Sequence, residues 1–124
     1  GESIRLRPES AKLYNTRCWI RAVNNKQLAE ALSDCNKSLS LNPGDADTLH
    51  SRSFVYFRLG RFDEAIADTN AALVKDPESQ ESLFVRGLAK LKKGDSTGGS
   101  ADIAAAEKIN PKITEKYAKW GARP

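Results

Sequence analysis

Between Leu49 and Leu73 the apolar residues return at helical spacing rather than in alternation. Leu49, Ser53, Tyr56 and Phe57 fall on one face of a first helix. Phe62, Ala65, Ile66, Thr69, Ala72 and Leu73 fall on one face of a second. Gly60 punctuates the turn between them, and Asp63 and Glu64 stand in the first turn of the second helix, where negative charge suits the helix dipole. No segment of the chain reads as a strand.

The same pattern recurs. Pro8, Pro43, Pro77 and Pro111 are spaced by 35, 34 and 34 residues, in the settings SIRLRPES, SLSLNPGD, ALVKDPES and AEKINPKI. Each setting reads as the last turn of a helix followed by a proline that cannot continue it. LHSRSFVYFRLG aligns without a gap on LFVRGLAKLKKG, and YNTRCWIRAVNN aligns on both with one extra residue in the turn that follows. The second halves LAEALSDCNKSL, FDEAIADTNAAL and TGGSADIAAAEK also align. In the last of these, GDSTGGSAD reads as a loosened hairpin turn. Gly98 and Gly99 each weaken a helix start there by roughly 1 kcal/mol relative to Ala. After Pro111, Ile113, Tyr117 and Trp120 share one face of a further short helix, expected to act as a lid on the last hairpin.

The middle unit resembles a tetratricopeptide repeat. Leu49, Ser53, Tyr56, Gly60, Ala65, Ala72 and Pro77 fill that motif's places, with Thr69 where a bulky residue is usual. The third unit supplies Leu83, Gly87, Gly94, Ile103, Ala106 and Pro111, with Gly99 in place of the helix-contact Ala; the first supplies Tyr14, Cys18, Ala31 and Pro43, with Cys35 in the bulky slot. The closing stretch also looks like the last repeat of many bacterial members. The resemblance implies an all-α, right-handed superhelical solenoid of three helix-turn-helix hairpins plus a C-terminal capping helix. Its units would be residues 11–45, 46–79 and 80–111, with the cap at 112–124. Residues 1–10 would be the tail of a preceding repeat, with an ordered turn or strap at Ile4 to Arg7 and Pro8 as its terminator. Stacking is expected to bury apolar faces that no hairpin covers alone.

Composition removes several function classes. The net charge is +4, but 16 acidic residues are mixed among 20 basic ones, without a Lys/Arg run interleaved with aromatics, so a nucleic-acid site is not expected. No apolar run is long enough for membrane insertion. Gly1 stands where an initiator Met would, suggesting a trimmed or processed chain. His50 is the one histidine and no CxxC pair occurs, so neither a zinc site nor a nucleophile–base pair is expected. The Gly-rich stretch lacks the Lys of a phosphate loop. The chain reads as a non-enzyme without cofactor.

Two patterns exceed the general motif. Arg17, Arg52 and Arg86 share one slot of the first helices, and Asp34, Asp68 and Asp102 one slot of the second helices. Repetition with matched charge suggests a ladder, expected to run across repeat junctions as Arg52–Asp34 and Arg86–Asp68. The competing geometry pairs each Arg with the Asp of its own hairpin. Cys18 and Cys35 occupy facing slots of the first hairpin and fit either a disulfide, which would imply an oxidising compartment such as a bacterial periplasm, or two buried thiols in the cytoplasm.

The resemblance implies a concave groove lined by the first helices, here Asn15, Trp19, Ala22, His50, Phe54, Phe57, Arg58, Phe84, Leu88 and Leu91. Exposed, so apolar a surface would mark a protein-partner site, taking a peptide or helix. The family subtype that clamps a chaperone's C-terminal carboxylate needs Lys, Asn and Arg at places held here by Asn15, Trp19, Ser51, Glu81 and Val85, so its pattern is not met. The alternative is a structural or self-association segment of a larger protein.

Overall fold

The computed structural model describes residues 8–124, with side chains from Ser10 onward. Three antiparallel helical hairpins stack into a solenoid. They are α1 (Pro8–Val23) with α2 (Leu28–Leu41), α3 (Ala46–Arg58) with α4 (Phe62–Lys75), and α5 (Gln80–Lys92) with α6 (Ser96–Ile109). A short α7 (Ile113–Ala118) follows. Every described element is helical.

Local chemistry fixes the ends. Asp45, Ser79 and Asp95 accept from the backbone N–H of Thr48, Ser82 and Gly98, capping α3, α5 and α6. Gly60 and Gly94 turn their hairpins with φ of +78° and +92°, a conformation that costs glycine no Cβ clash. The first hairpin, with its extra residue, instead turns through Asn25 and Gln27, both at positive φ. Two expectations change here. Pro8 is the first residue of α1 rather than the terminator of an earlier unit; the first helical position is where proline's missing N–H costs nothing. The segment 96–101 is a capped helix start, not a loosened turn, because Asp95 satisfies the Gly98 N–H. The turn or strap expected at Ile4 to Arg7 lies outside the described residues.

Small residues let the helices approach. A Cβ on Gly87 would sit 2.7 Å from Ile103 Cγ1 and 2.9 Å from the Gly99 carbonyl, so Gly99 in the helix-contact slot is matched by Gly87 opposite. Thr69 is buried in a bulky slot because its hydroxyl donates to the carbonyls of Ala65 and Ile66. The Ser38 hydroxyl bonds the Ala11 carbonyl and meets Thr48 Oγ1, tying α1, α2 and α3 at the first junction.

The charge ladder runs within hairpins, not across junctions. Arg52 Nε and Nη2 donate to both oxygens of Asp68 at 2.7 Å each, and Arg86 does the same to Asp102 at 2.8 and 2.9 Å. Arg17 holds Asp34 likewise at 2.8 and 2.7 Å. The expected Arg52–Asp34 and Arg86–Asp68 pairs are therefore corrected. Antiparallel packing sets an Arg and the Asp 16 or 17 residues on at one height, side by side. The junction partner is an amide two residues past each aspartate: Arg52 Nη1 donates to Asn36 Oδ1 at 3.0 Å and Arg86 Nη1 to Asn70 Oδ1 at 2.9 Å. One guanidinium thus closes its own hairpin and registers it on the preceding one. A double-mutant cycle on Arg52→Gln and Asp68→Asn is expected to give a coupling of about 2 kcal/mol, and Arg52→Gln with Asp34→Asn one close to zero. Equal couplings would reinstate the cross-junction geometry.

Candidate functional site

The concave face is built by α1, α3 and α5, but it does not lie open along its length. α7 and the residues after it enter it. Ile113 is fully buried against the last hairpin, as a lid would be. Tyr117, expected on that same lid face, instead reaches into the groove, fully buried, with ring centroids 5.4 Å from Phe54 and 4.9 Å from Phe84. Trp120 meets Trp19 edge to face at 5.6 Å. Arg58 Nη2 donates to the Trp120 carbonyl at 2.6 Å and to the Val23 carbonyl, Nε donates to the Ala22 carbonyl, and the guanidinium lies over Phe54. Burial holds the Arg58 pKa below its ordinary value, and backbone carbonyls rather than a carboxylate receive the charge.

This redistributes the sequence-predicted groove residues. Phe54, Phe84, Leu88 and Ala22 are core, not exposed surface. Phe57 stacks on Phe54 and contacts Phe62 of α4, and Leu91 sits over Gly99 of α6, so both serve packing within their own hairpins. Arg58 is engaged with the chain's own C-terminal segment. An apolar groove in an array this short is covered from within because leaving it in water costs more than folding thirteen residues across it. Asn15, Trp19 and His50 are half-buried and line a cleft of about 560 Å³ with Asp47, Glu81, Lys116 and Trp120. The sequence reading missed Asp47 and Lys116. Asp47 shares the position of Glu81 in the aligned repeats, the one signal that could have found it.

The cleft floor is a polar network. Tyr117 Oη donates to Glu81 Oε1 at 2.8 Å, and Lys116 Nζ lies 3.2 Å from Glu81 Oε2. With the tyrosine hydroxyl hydrogen directed at Glu81, His50 Nε2–H donates to Tyr117 Oη at 3.0 Å, and Ser82 Oγ donates to His50 Nδ1 at 3.3 Å. That assignment needs a neutral imidazole. Burial lowers the His50 pKa from 6.5 to about 4, with Lys116 adding to the shift and Glu81 opposing it. Burial, then Glu81, hold the Tyr117 phenol well above its ordinary value. Burial alone would raise the Glu81 carboxyl, but His50, Tyr117 and Lys116 together bring it below its usual range.

A pH dependence follows. The unfolded chain takes the His50 proton near pH 6.5 and the folded chain only near pH 4, so stability falls as pH drops between these values. The loss over that interval is on the order of 3 kcal/mol, about 2 of it by pH 5. The lowered carboxyls, Glu81, Asp102 and Glu64, keep their contributions until pH falls below about 4.5. Urea midpoints at pH 7 and pH 5 should therefore differ in the wild type and converge in His50→Gln. Equal shifts in both proteins would remove His50 as the source.

The Cys18 and Cys35 slots meet in the core between α1 and α2. The two residues are fully buried and joined by a disulfide between α1 and α2, with Cα atoms 5.5 Å apart.

A tetratricopeptide-repeat family model matches residues 46–79, the hairpin of α3 and α4. Residues 46–79 are a tetratricopeptide repeat. Solved structures similar to the chain are repeat domains of the same kind. The first tetratricopeptide-repeat domain of human RPAP3 aligns with a TM-score of 0.79 at 20% identity, covering 93% of this chain and 92% of that one. The corresponding domain of Arabidopsis OM64 aligns with a TM-score of 0.79 at 20% identity over 90% and 93%. The first such domain of Spaghetti (RPAP3), bound to the HSP90 peptide SRMEEVD, aligns with a TM-score of 0.78 at 19% identity over 93% of each chain. At these identities the likeness is one of fold. No curated protein matches significantly. Among the described residues no helix is long and apolar enough to cross a membrane, and no group of His, Cys, Asp or Glu is placed to hold a metal ion.

Proposed function

We propose that this repeat protein is a non-catalytic interaction scaffold that takes a segment of a partner protein into the cleft between α1, α3 and the C-terminal segment. The observation that carries the reading is the cleft itself: about 560 Å³, lined by half-buried Trp19 and Trp120, on the concave face of a repeat fold. The peptide on the Spaghetti domain is a precedent for this fold, not for this ligand. The residues at the carboxylate-clamp places, Glu81 among them, argue against a chaperone tail here. The disulfide favours an oxidising compartment such as a bacterial periplasm.

Selection from a displayed random-peptide library tests the reading. Thr16 is exposed on the cleft wall, so Thr16→Arg should fill the cleft while leaving the thermal melt unchanged. Selected peptides are expected to lose at least tenfold in affinity for Thr16→Arg. Peptides that bind the variant as tightly as the wild type would defeat the proposal.

One observation favours a second reading, a surface for stacking or self-association. Leu13 and Ile20 of α1 are 70% and 51% exposed. Their counterparts in the aligned repeats, Thr48 and Ser82 for Leu13, Val55 and Ala89 for Ile20, are buried at repeat junctions. A Leu13→Lys, Ile20→Lys variant that dissociates an assembly seen by sedimentation, with peptide capture intact, would assign that face to assembly.

A further inference from the structure

The charge around the cleft differs in sign from the charge of the chain. The chain carries +4, yet the ionised side chains lining the cleft are Asp47, Asp76 and Glu81 against Lys116. His50, held neutral by its enclosure, does not alter that balance near pH 7. Glu81 is already engaged by Tyr117 and Lys116. Among the described residues the carboxylates of Asp47 and Asp76 have no cationic side chain against them. Low-dielectric walls focus such a field into the concavity.

The cleft also shows how it holds a cation. Lys116 Nζ stands 6.0 Å from the Trp120 ring centroid and 3.2 Å from Glu81 Oε2, an ammonium between an aromatic ring and a carboxylate. Trp19 of α1, which meets Trp120 at 5.6 Å, and Asp47 of α3 line the same cleft and supply a second ring and a second carboxylate.

Building on the scaffold reading, we propose that the partner's segment is anchored by a basic side chain, Lys or Arg, seated between Trp19 and the Asp47 carboxylate. The ring attracts the cation's charge and covers its alkyl stem, the carboxylate fixes its head, and Asp76 adds a longer-range field that draws basic segments in and repels acidic ones. Lys116 limits the room for a second cation beside Trp120, so one anchor is expected per segment.

The library selected on the wild type supplies the test. Recovered peptides should be enriched in Lys or Arg at one position. Replacing that residue by Glu, or introducing Asp47→Lys, should weaken binding at least tenfold, with Asp47→Asn between the two. Affinity should fall as salt rises. Asp47 is exposed on the first turn of α3, so these variants should keep the wild-type melt. Acidic or uncharged selected peptides, or tight binding by Asp47→Lys of peptides that Thr16→Arg rejects, would overturn the basic anchor and leave the cleft reading standing. Selected peptides indifferent to Thr16→Arg would overturn both.

Discussion

Tyr117→Ala is expected to lower the unfolding free energy by about 4 kcal/mol, measured by urea titration. The side chain is fully buried among Phe54, Phe84 and Trp120, which belong to three different elements. Its removal leaves a cavity where α3, α5 and the C-terminal segment meet. Tyr117→Phe keeps the ring and loses only the hydroxyl, which links Glu81 and His50; it is expected to cost about 1–2 kcal/mol. The separation between the two variants matters. A loss below 1 kcal/mol for Tyr117→Ala would mean that α7 rests on the groove without belonging to the core. The Ala variant should also raise the exposure of Trp19 and Trp120 to a collisional fluorescence quencher, since Tyr117 packs directly on Trp120.

Reducing the Cys18–Cys35 disulfide is expected to cost about 3 kcal/mol, seen as a fall of roughly 10 °C in the melting temperature. The bridge closes a loop of 17 residues between α1 and α2. That loop contains the one hairpin turn without a glycine, where Asn25 and Gln27 hold positive φ. The covalent link therefore restrains the hairpin whose turn is least favourable by itself. Cys18→Ala with Cys35→Ala should reproduce most of the loss and make the melt insensitive to reductant. A melt unchanged by reductant in the wild type would show that the bridge adds nothing to the fold.

The two expectations concern residues far apart in the chain and were unequally legible. Helix placement followed from apolar spacing and from proline and glycine punctuation, because these act over a few residues. Ladder membership was equally visible, since repetition marks a residue whatever it touches. Its partners were not. Whether Arg52 meets Asp34 or Asp68 depends on the heights at which two helices cross, and the junction acceptor, Asn36, carries no mark in the sequence that separates it from a solvated amide. The cysteines were likewise found by slot, and only the tertiary structure brings their Cα atoms within bridging distance.

The candidate site shows the limit most plainly. The family resemblance implied an open, largely apolar groove lined by the first helices. The actual cleft is smaller, more polar and partly roofed by the chain's own Trp120. Of the ten residues expected to line the groove, Asn15, Trp19 and His50 stay at the cleft, while Ala22, Phe54, Phe84 and Leu88 became core.

By itself the sequence determined the repeat, its helices, its turns and the class of molecule, because each of these rests on local periodicity and on residues with restricted backbones. Only the tertiary structure decided where the segment after Pro111 goes. Its aromatic face fits a lid on the last hairpin as well as a filling for the groove. In the groove Tyr117 and Trp120 bury apolar area against Phe54, Phe84 and Trp19 together, a sum over elements far apart in the chain.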